Sequence, residues 1–253
     1  MTRNVGPSAR DYVLSLELPH GSPALETLGA PAVEFSDAPQ AIVIGDQLAE
    51  FTKQVSAALR TAIADSMLIA QLAANRAAAQ TDVLTWYNKY VEVLQNLGWQ
   101  VHDFQFESQQ VSNPNLSVHE AIIPVLAAML GPQAAIASLV MTVLKGLQGM
   151  STNRPWITLF DQSSQHAEGA KFQVAHVDAN ASGQPEIALI CFTMSASRTI
   201  TQVLFFKFSE ASAELKKAES KLVIDLGRLE SAKDALANRV APFINDFIKK
   251  IDI

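Results

Sequence analysis

The sequence has few charged residues and a single cysteine. Charged side chains make up 17% of its 253 residues, below the roughly 25% of an average globular protein. One cysteine excludes an intrachain disulfide framework and a zinc site built from several thiolates. The net charge of −6, from 19 Lys and Arg against 25 Asp and Glu, argues against a nucleic-acid partner, because phosphate binding needs clustered cations.

Motifs that fix a reaction are also missing. The chain contains no G-x-S-x-G, no Walker loop and no G-x-G-x-x-G, and none of its five histidines stands in an HExxH or HxH spacing. We therefore predict no catalytic residue, no metal site and a non-enzymatic function. His119 and His176 are interpreted as structural residues.

The N-terminal region carries no apolar run long enough for a signal-peptide core. We therefore expect a bacterial protein that stays in the cytoplasm or is exported without a cleaved signal peptide, and that associates with a membrane when it acts.

One long stretch lacks charge altogether. Residues 121–144, between Glu120 and Lys145, hold no Asp, Glu, Lys or Arg. Their length would suit a membrane span, but Gly131-Pro132 near the centre predicts two shorter helices joined by a tight turn. Ser117 and Glu120 form a predicted capping box before the first helix. The predicted lipid-cavity or membrane-inserting residues are Ile122, Ile123, Leu126, Ile136, Leu139 and Val140.

Two interpretations of this hairpin remain open. It is either a buried helical hairpin in the core of the protein or a hairpin that leaves the core and enters lipid.

The region from 46 to 97 contains neither Gly nor Pro. Its apolar residues recur in steps of three and four, which predicts a long amphipathic helix. Asp46 is the predicted N-cap, Gly98 the predicted end, and a break is expected near 80–82. An aromatic cluster near the end of this helix is interpreted as core, with a membrane interface as the alternative. Its residues are Trp86, Tyr87, Tyr90 and Trp99.

The last part of the chain predicts a second long helix, over 209–251. Its apolar residues fall at intervals of seven: Leu215, Leu222, Leu229, Leu236 and Phe243. This heptad pattern predicts packing along the first long helix, with pairing between two copies of the chain as the alternative. Pro242 is expected to bend the helix near its end.

Between these helices the pattern changes to that of β-strands. The predicted strands are 156–160, 171–177, 186–194 and 199–208, and a further short strand is predicted at 11–18. Short connections predict an antiparallel meander. The strand 186–194 is apolar on both faces, with Ile187, Leu189 and Cys191 on one and Ala188, Ile190 and Phe192 on the other, so we expect it to be central.

These elements together predict one α+β domain over 1–253, with long helices packed against a four-stranded antiparallel β-meander and a buried apolar helical hairpin. Its predicted parts are a Pro-rich N-terminal extension (1–44), a helical part (45–150), the antiparallel sheet (151–208) and a long C-terminal helix (209–253).

Cys191 is the one thiol in the chain. Its strand supplies no helix N-terminus or sharp turn that would stabilise a thiolate, so a buried, inert thiol is expected. An alternative is attachment of a fatty acyl chain within the apolar interior. A second alternative, a cysteine-dependent acyl hydrolase or transferase, would need His176 on a neighbouring strand as the base.

Long Ala-rich helices, an uncharged central helix pair, an antiparallel sheet and one strand cysteine in LICFTM together resemble the Erwinia-type insect-gut virulence factor (Evf) family. The resemblance is architectural and covers most of the chain beyond its first forty residues. In that family a strand cysteine is reported to carry a palmitoyl group, and the protein is thought to act at membranes of the insect host. The resemblance implies that Cys191 is the lipid attachment site, with palmitate or another fatty acid bound covalently.

We therefore predict a lipid- or membrane-associated virulence-type protein with a fatty acyl chain on Cys191 in an apolar cavity. Its predicted partners are a lipid or fatty acid and a host membrane, and homo-oligomers remain open. The main alternative is a helical pore-forming toxin that inserts the 121–144 hairpin.

Overall fold

A computed structural model describes residues 8–20, 33–78, 82–166, 169–210 and 212–252. Its helices are α1 Ala9–Ser15, α2 Ala57–Ala78, α3 Val83–Leu97, α4 Val118–Leu130, α5 Pro132–Ala137, α6 Leu139–Gly146, α7 Pro155–Ser164, α8 Leu226–Val240 and α9 Ile244–Phe247. Its strands are β1 Gln40–Ile44, β2 Gln47–Phe51, β3 Trp99–Val101, β4 Glu107–Gln109, β5 Gln165–His166, β6 Gly169–Ala179, β7 Pro185–Ala196, β8 Ala213–Ile224 and β9 Ile248–Lys250. Short 3₁₀ turns occupy Leu147–Gly149, Phe208–Glu210 and Ala241–Phe243.

The strands form one nine-stranded sheet rather than a four-stranded meander. Its order is β3-β8-β7-β6-β2-β1-β9, with β4 also paired to β8 and β5 to β6. The pairing of β2 with β6 is parallel, and the other pairings are antiparallel. The mixed helix-and-sheet class of the prediction is confirmed, while its strand count is wrong.

Helices cover both faces of this sheet. We call the side packed against α1, α2, α3 and α8 the α2 face, and the side packed against α4, α6 and α7 the α6 face. Side chains alternate between the two faces along β7, with Leu189 and Cys191 on the α2 face and Ile190 and Phe192 on the α6 face. The prediction of a central strand buried on both sides is confirmed.

Several local predictions are also confirmed. The segments 171–177 and 186–194 lie in β6 and β7, joined by a turn in which the Asn180 amide donates to the Gln184 carbonyl at 2.9 Å. The long helix is interrupted as expected: α2 ends at Ala78 and α3 begins at Val83, where Asp82 accepts from the Thr85 amide. Residues 79–81 lie outside the described part of the chain. Gly98 ends α3 with φ 105°, a conformation that favours glycine.

The start of the first long helix is wrong. Asp46 does not cap a helix but lies in the turn between β1 and β2, and the helix begins only at Ala57. Leu48 on the α6 face and Phe51 on the α2 face are both fully buried in β2. A strand buried on both sides shows a near-continuous apolar run, which has no helical or strand period of its own.

The predicted C-terminal helix over 209–253 is wrong as well, because its first part forms β8. Seven is an odd number, so Leu215 and Leu222 point to opposite faces of this strand. Only Leu229 and Leu236 of the heptad series lie on a helix, α8. Pro242 lies in the 3₁₀ turn where α8 ends, and α9 and then β9, at the edge of the sheet, follow it.

Three predicted strands are also corrected. The segment 156–160 is helical because Pro155 begins α7, a position that proline favours. The segment 199–208 is irregular, and the Asp161 carboxylate holds it by accepting from the Val203 amide at 2.8 Å. The segment 11–18 contains most of α1, which Ser8 caps. Of the predicted N-terminal extension (1–44), residues 1–7 and 21–32 lie outside the described part of the chain, and the remainder contains α1 and β1. The predicted helical part (45–150) also contains strands, the predicted sheet (151–208) contains α7, and the predicted C-terminal helix (209–253) contains β8 and β9.

Candidate functional site

The uncharged segment forms a helical layer of three helices, α4, α5 and α6, on the α6 face. The predicted capping box is present, with the Ser117 amide donating to Glu120 Oε2 at 2.8 Å. Gly131 has φ 77° and separates α4 from α5, which Pro132 begins. The expected second helix is itself interrupted at Ser138, whose hydroxyl accepts from the Met141 amide at the start of α6.

The six apolar residues predicted for this segment do not share one environment. Ile122, Leu126 and Val140 are buried in the core beneath the layer. Ile123 and Leu139 are half-buried. Ile136 is 84% exposed. The described residues contain two other exposed large apolar side chains, Leu84 at 53% and Leu14 at 48%. The layer therefore presents one isoleucine to solvent while three of its apolar residues fix it to the sheet.

Glu50 on β2 connects the layer to the sheet. The residue is 3% exposed, and its Oε2 accepts a hydrogen bond from the Val140 amide at 2.9 Å. Oε1 pairs with Nδ1 of His176 on β6. A negative charge at this position is favourable, because the first amides of a helix have no partner within the helix.

The contact with Glu50 also affects the pKa of His176. Burial disfavours its charged form, yet the hydrogen bond and charge of Glu50, with the charges of Asp178 and Glu186, raise its pKa above the ordinary 6.5. The cavity between this pair and the layer has a volume of only about 10 Å³, so the layer is closely packed onto the sheet.

A second attachment lies at the start of α4. The amides of Val118 and His119 donate to the carbonyls of Phe206 and Leu204 at 2.9 and 3.0 Å. The His119 ring also lies within hydrogen-bond distance of the Leu204 carbonyl, with 2.8 Å between Nδ1 and the oxygen. These contacts join the layer to the irregular segment 199–208, so His119 has a structural role.

Cys191 lies on the opposite side of the sheet, in the core beneath α2 and α3. Its side chain is fully buried, and its cross-strand neighbour is Gln173. Burial raises the pKa of its thiol well above the usual range, and the charge of Asp46 adds to this while that of Lys171 opposes it. The group is therefore a neutral thiol, which is a poor nucleophile.

The surroundings of Cys191 include buried polar groups. Lys171 pairs with Asp46, and the two side chains are 3% and 1% exposed. The ammonium lies 3.7 Å from the centroid of the Trp86 ring, an arrangement typical of a cation–π contact. The Tyr87 hydroxyl donates to the Phe192 carbonyl at 3.0 Å. Trp86, Tyr87, Tyr90 and Trp99 are all fully buried, which confirms their interpretation as core.

The sheet separates Cys191 from the other predicted site residues. His176 lies on the α6 face beside Glu50, so it cannot serve as the base for a thiol on the α2 face. The predicted Cys191–His176 pair of an acyl hydrolase is therefore wrong. The apolar residues of the helical layer also lie on the α6 face, so they and Cys191 do not line one common cavity.

The described residues hold no group of three or more His, Cys, Asp or Glu side chains that could bind a metal ion. One described helix, α2, is long and apolar enough to cross a membrane, and 78% of its most apolar window is buried within the protein. Such burial is typical of a core helix.

Sequence reasoning missed Glu50 and the Asp46–Lys171 pair. Glu50 is a lone carboxylate in the otherwise apolar run LAEF, which was an available signal. This signal was not used, because residues 46–97 were assigned to one helix. Lys171 offers no comparable signal, because its partner Asp46 lies 125 residues earlier in the chain.

No protein-family model matches the chain, and no curated protein matches it significantly. Among solved structures, the fold is similar to that of a delta-endotoxin, with a TM-score of 0.43 and 16% identity over 78% of this chain and 85% of that one. The activated Cyt2Ba monomer from Bacillus thuringiensis subsp. israelensis gives a TM-score of 0.33 and 17% identity, covering 58% and 85%. The Evf virulence factor gives 0.33 and 13%, covering 96% and 91%. These are weak structural likenesses and establish neither a family nor a function.

Proposed function

We propose that this chain is a non-enzymatic, membrane-active protein of the virulence or toxin type, and that the α4–α6 layer is the part that enters the bilayer. The observation that carries this proposal is the 84% exposure of Ile136 within a segment that has no charge from residue 121 to 144. Charged groups are what most oppose entry into hydrocarbon. An exposed apolar side chain on an uncharged helical layer is therefore suited to first contact with lipid.

The lengths of the helices favour shallow insertion. The 13 residues of α4 extend about 20 Å, and α5 and α6 are shorter still, at 1.5 Å per residue. A helix needs about 20 residues to cross a hydrocarbon core of about 30 Å. The breaks at Gly131 and Ser138 prevent one continuous span, so we propose that the layer lies in the interface of one leaflet.

Entry of the whole layer requires it to leave the sheet. Its buried side chains, including Ile122, Leu126 and Val140, would exchange protein contacts for lipid contacts with little change in apolar burial. The polar contacts of Glu50 with Val140 and of His119 with Leu204 would have to break. These contacts therefore set the resistance of the layer to release.

Acylation of Cys191 is a second proposal, supported by the position of the thiol inside the apolar core of the α2 face. A fatty acyl chain there would lie between the sheet and α2 or α3, and each buried methylene would contribute about 0.8 kcal/mol. Intact-mass measurement of natively expressed protein tests this. The expected mass exceeds that of the bare chain by one fatty acyl group, and Cys191→Ser removes the excess. The mass of the bare chain would contradict acylation.

Release of an entrapped dye from phosphatidylcholine vesicles tests the membrane proposal. Neutral lipid is chosen because the chain has a net charge of −6. Ile136→Asp should abolish both vesicle binding and release, since it places a charge at the proposed contact. The matched control is Leu84→Asp, which alters another exposed apolar residue, 53% exposed and on α3.

Leu84→Asp should retain the activity of the original chain. Both substitutions are at the surface and should change the free energy of unfolding by no more than about 0.5 kcal/mol. Equal vesicle binding by the two variants, or no vesicle binding by the original chain, would contradict the proposal.

A further inference from the structure

A cavity of about 520 Å³ lies beside the N-terminal half of α2. Its volume falls within the range of roughly 300 to 1,000 Å³ that small-molecule sites occupy. Segment 33–35, α2 and the region from α9 to β9 form its walls. The walls are mainly apolar, from Val33, Phe35, Ala57, Ala58, Ile244 and Ile248.

Among the residues that line this apolar cavity, Asp65 carries a buried carboxyl group. Asp65 on α2 is 3% exposed, and it makes no hydrogen bond or ion pair with any other residue that the structure describes. Ala57 and Thr61, at four-residue steps on the same helix, line the cavity with it. The three therefore form one stripe along α2.

Burial is the cause of the raised Asp65 pKa, and no neighbouring charge of the described residues contributes to it. Arg60 on the same helix donates to the carbonyls of Val55 and Thr52 at 2.8 and 2.7 Å, so its guanidinium is held by main chain. The α9–β9 wall contributes Ile244 and Ile248, and Lys249 and Lys250 of the same region line the adjoining cavity instead. Segment 33–35 adds the exposed Glu34, a second negative charge.

The other buried carboxylates of the described residues differ from Asp65 in this respect. Asp46 pairs with Lys171, Glu50 contacts His176 and Val140, and Asp161 accepts from Val203. Burial alone raises the pKa of Asp65 to about 7. A buried carboxyl group without a partner destabilises the folded state when charged, and such groups are concentrated at functional sites.

We propose that this cavity binds a small amphiphile that has an apolar body and one protonated primary amine. The amine would pair with Asp65 and the apolar body would contact the isoleucine and alanine side chains. The site lies on the α2 side of the molecule and does not include the helical layer. The amine-binding proposal therefore does not depend on the membrane proposal.

Isothermal titration calorimetry of the full chain with octylamine tests this site, with octanol as a neutral ligand of the same length. The amine stays protonated through the range tested, as lysine does. With a pKa of about 7, the Asp65 carboxyl is mostly neutral at pH 6 and mostly charged at pH 8. The affinity for octylamine should therefore rise about tenfold from pH 6 to pH 8. Octanol should bind more weakly and show no such change.

Asp65→Asn should reduce octylamine affinity at pH 8 at least tenfold and remove the pH dependence. The control Glu92→Gln changes a surface carboxylate on α3 and should leave binding unchanged. The inference is overturned if octylamine binds no better than octanol, if its affinity is independent of pH in the original chain, or if octanoate at pH 6 binds better than octylamine at pH 8. The pH series on the original chain decides the question even if Asp65→Asn does not fold.

Discussion

Glu50 Oε2 accepts a hydrogen bond from the Val140 amide at 2.9 Å, so a carboxylate on β2 holds the N-terminus of α6 against the sheet. The same carboxylate contacts His176 on the neighbouring strand. One side chain thus connects two strands to the helical layer that we propose enters lipid. The strength of this junction should govern both the stability of the protein and the release of the layer.

Glu50→Ala should weaken this junction. It removes the acceptor of the Val140 amide and leaves His176 without its acidic partner. We expect a loss of about 3 kcal/mol in the free energy of unfolding, measured by urea denaturation, and faster dye release from vesicles. Glu50→Gln retains the shape and an acceptor oxygen, so its effect should be smaller. A Glu50→Ala variant with the stability and release rate of the original chain would show that the junction does not hold the layer.

Asp65 should make stability depend on pH. Its folded-state pKa of about 7 exceeds the unfolded value of about 3.9, so the folded state binds the proton more tightly. Its contribution to stability is therefore complete below about pH 4 and is lost as the pH rises to about 7. Asp65→Asn should be more stable than the original chain at pH 8, with a difference that shrinks toward pH 5. Urea denaturation across this range measures it, and a constant difference would contradict the assignment.

Removal of one member of the Asp46–Lys171 pair should lower the stability of the protein. Lys171→Met leaves a carboxylate that is 1% exposed without its cation, and we expect a loss of about 3–5 kcal/mol. The double variant Asp46→Asn with Lys171→Met should recover most of this loss, because neither buried charge remains. Thermal unfolding of the two single variants and the double variant gives the coupling. Additive effects would indicate that the two groups do not stabilise each other.

Cys191 should react slowly with thiol reagents. The side chain is fully buried, and burial holds the pKa of its thiol well above the usual range, so little thiolate is present or accessible. Labelling of the unmodified chain should proceed only at the rate of unfolding and should become rapid in 8 M urea. Complete labelling of the native protein within the mixing time would reveal an accessible, activated thiol.

Local signals in the sequence predicted the elements that they control directly. Gly98, Asp82 and the Ser117–Glu120 capping box each define a helix end through contacts within a few residues, and all three are present. The faces of β7 followed from strand alternation alone. The heptad leucines led to the wrong prediction of one long C-terminal helix. A spacing of seven fits a helix and also a strand that is covered on both faces.

The candidate site was harder to predict, because it depends on tertiary contacts. The uncharged segment was evident from composition, but its burial pattern was not. Ile122 and Ile136 are the same residue type in the same segment, yet one is fully buried and the other 84% exposed. Glu50 and Val140 are 90 residues apart in the sequence. Asp65 is shielded from solvent partly by segment 33–35 and the α9–β9 region, which are distant from it in the sequence. No spacing rule relates such residues.

Fluorescence of an environment-sensitive dye at position 136 tests entry of the helical layer into lipid most directly. The dye would be attached to Ile136→Cys in a Cys191→Ala background, and Leu84→Cys would carry it as the control. On addition of phosphatidylcholine vesicles, we predict a blue shift and an intensity increase at position 136, quenched by quenchers within the bilayer, and no change at position 84. An unchanged spectrum at position 136 in the presence of bound vesicles would contradict the account.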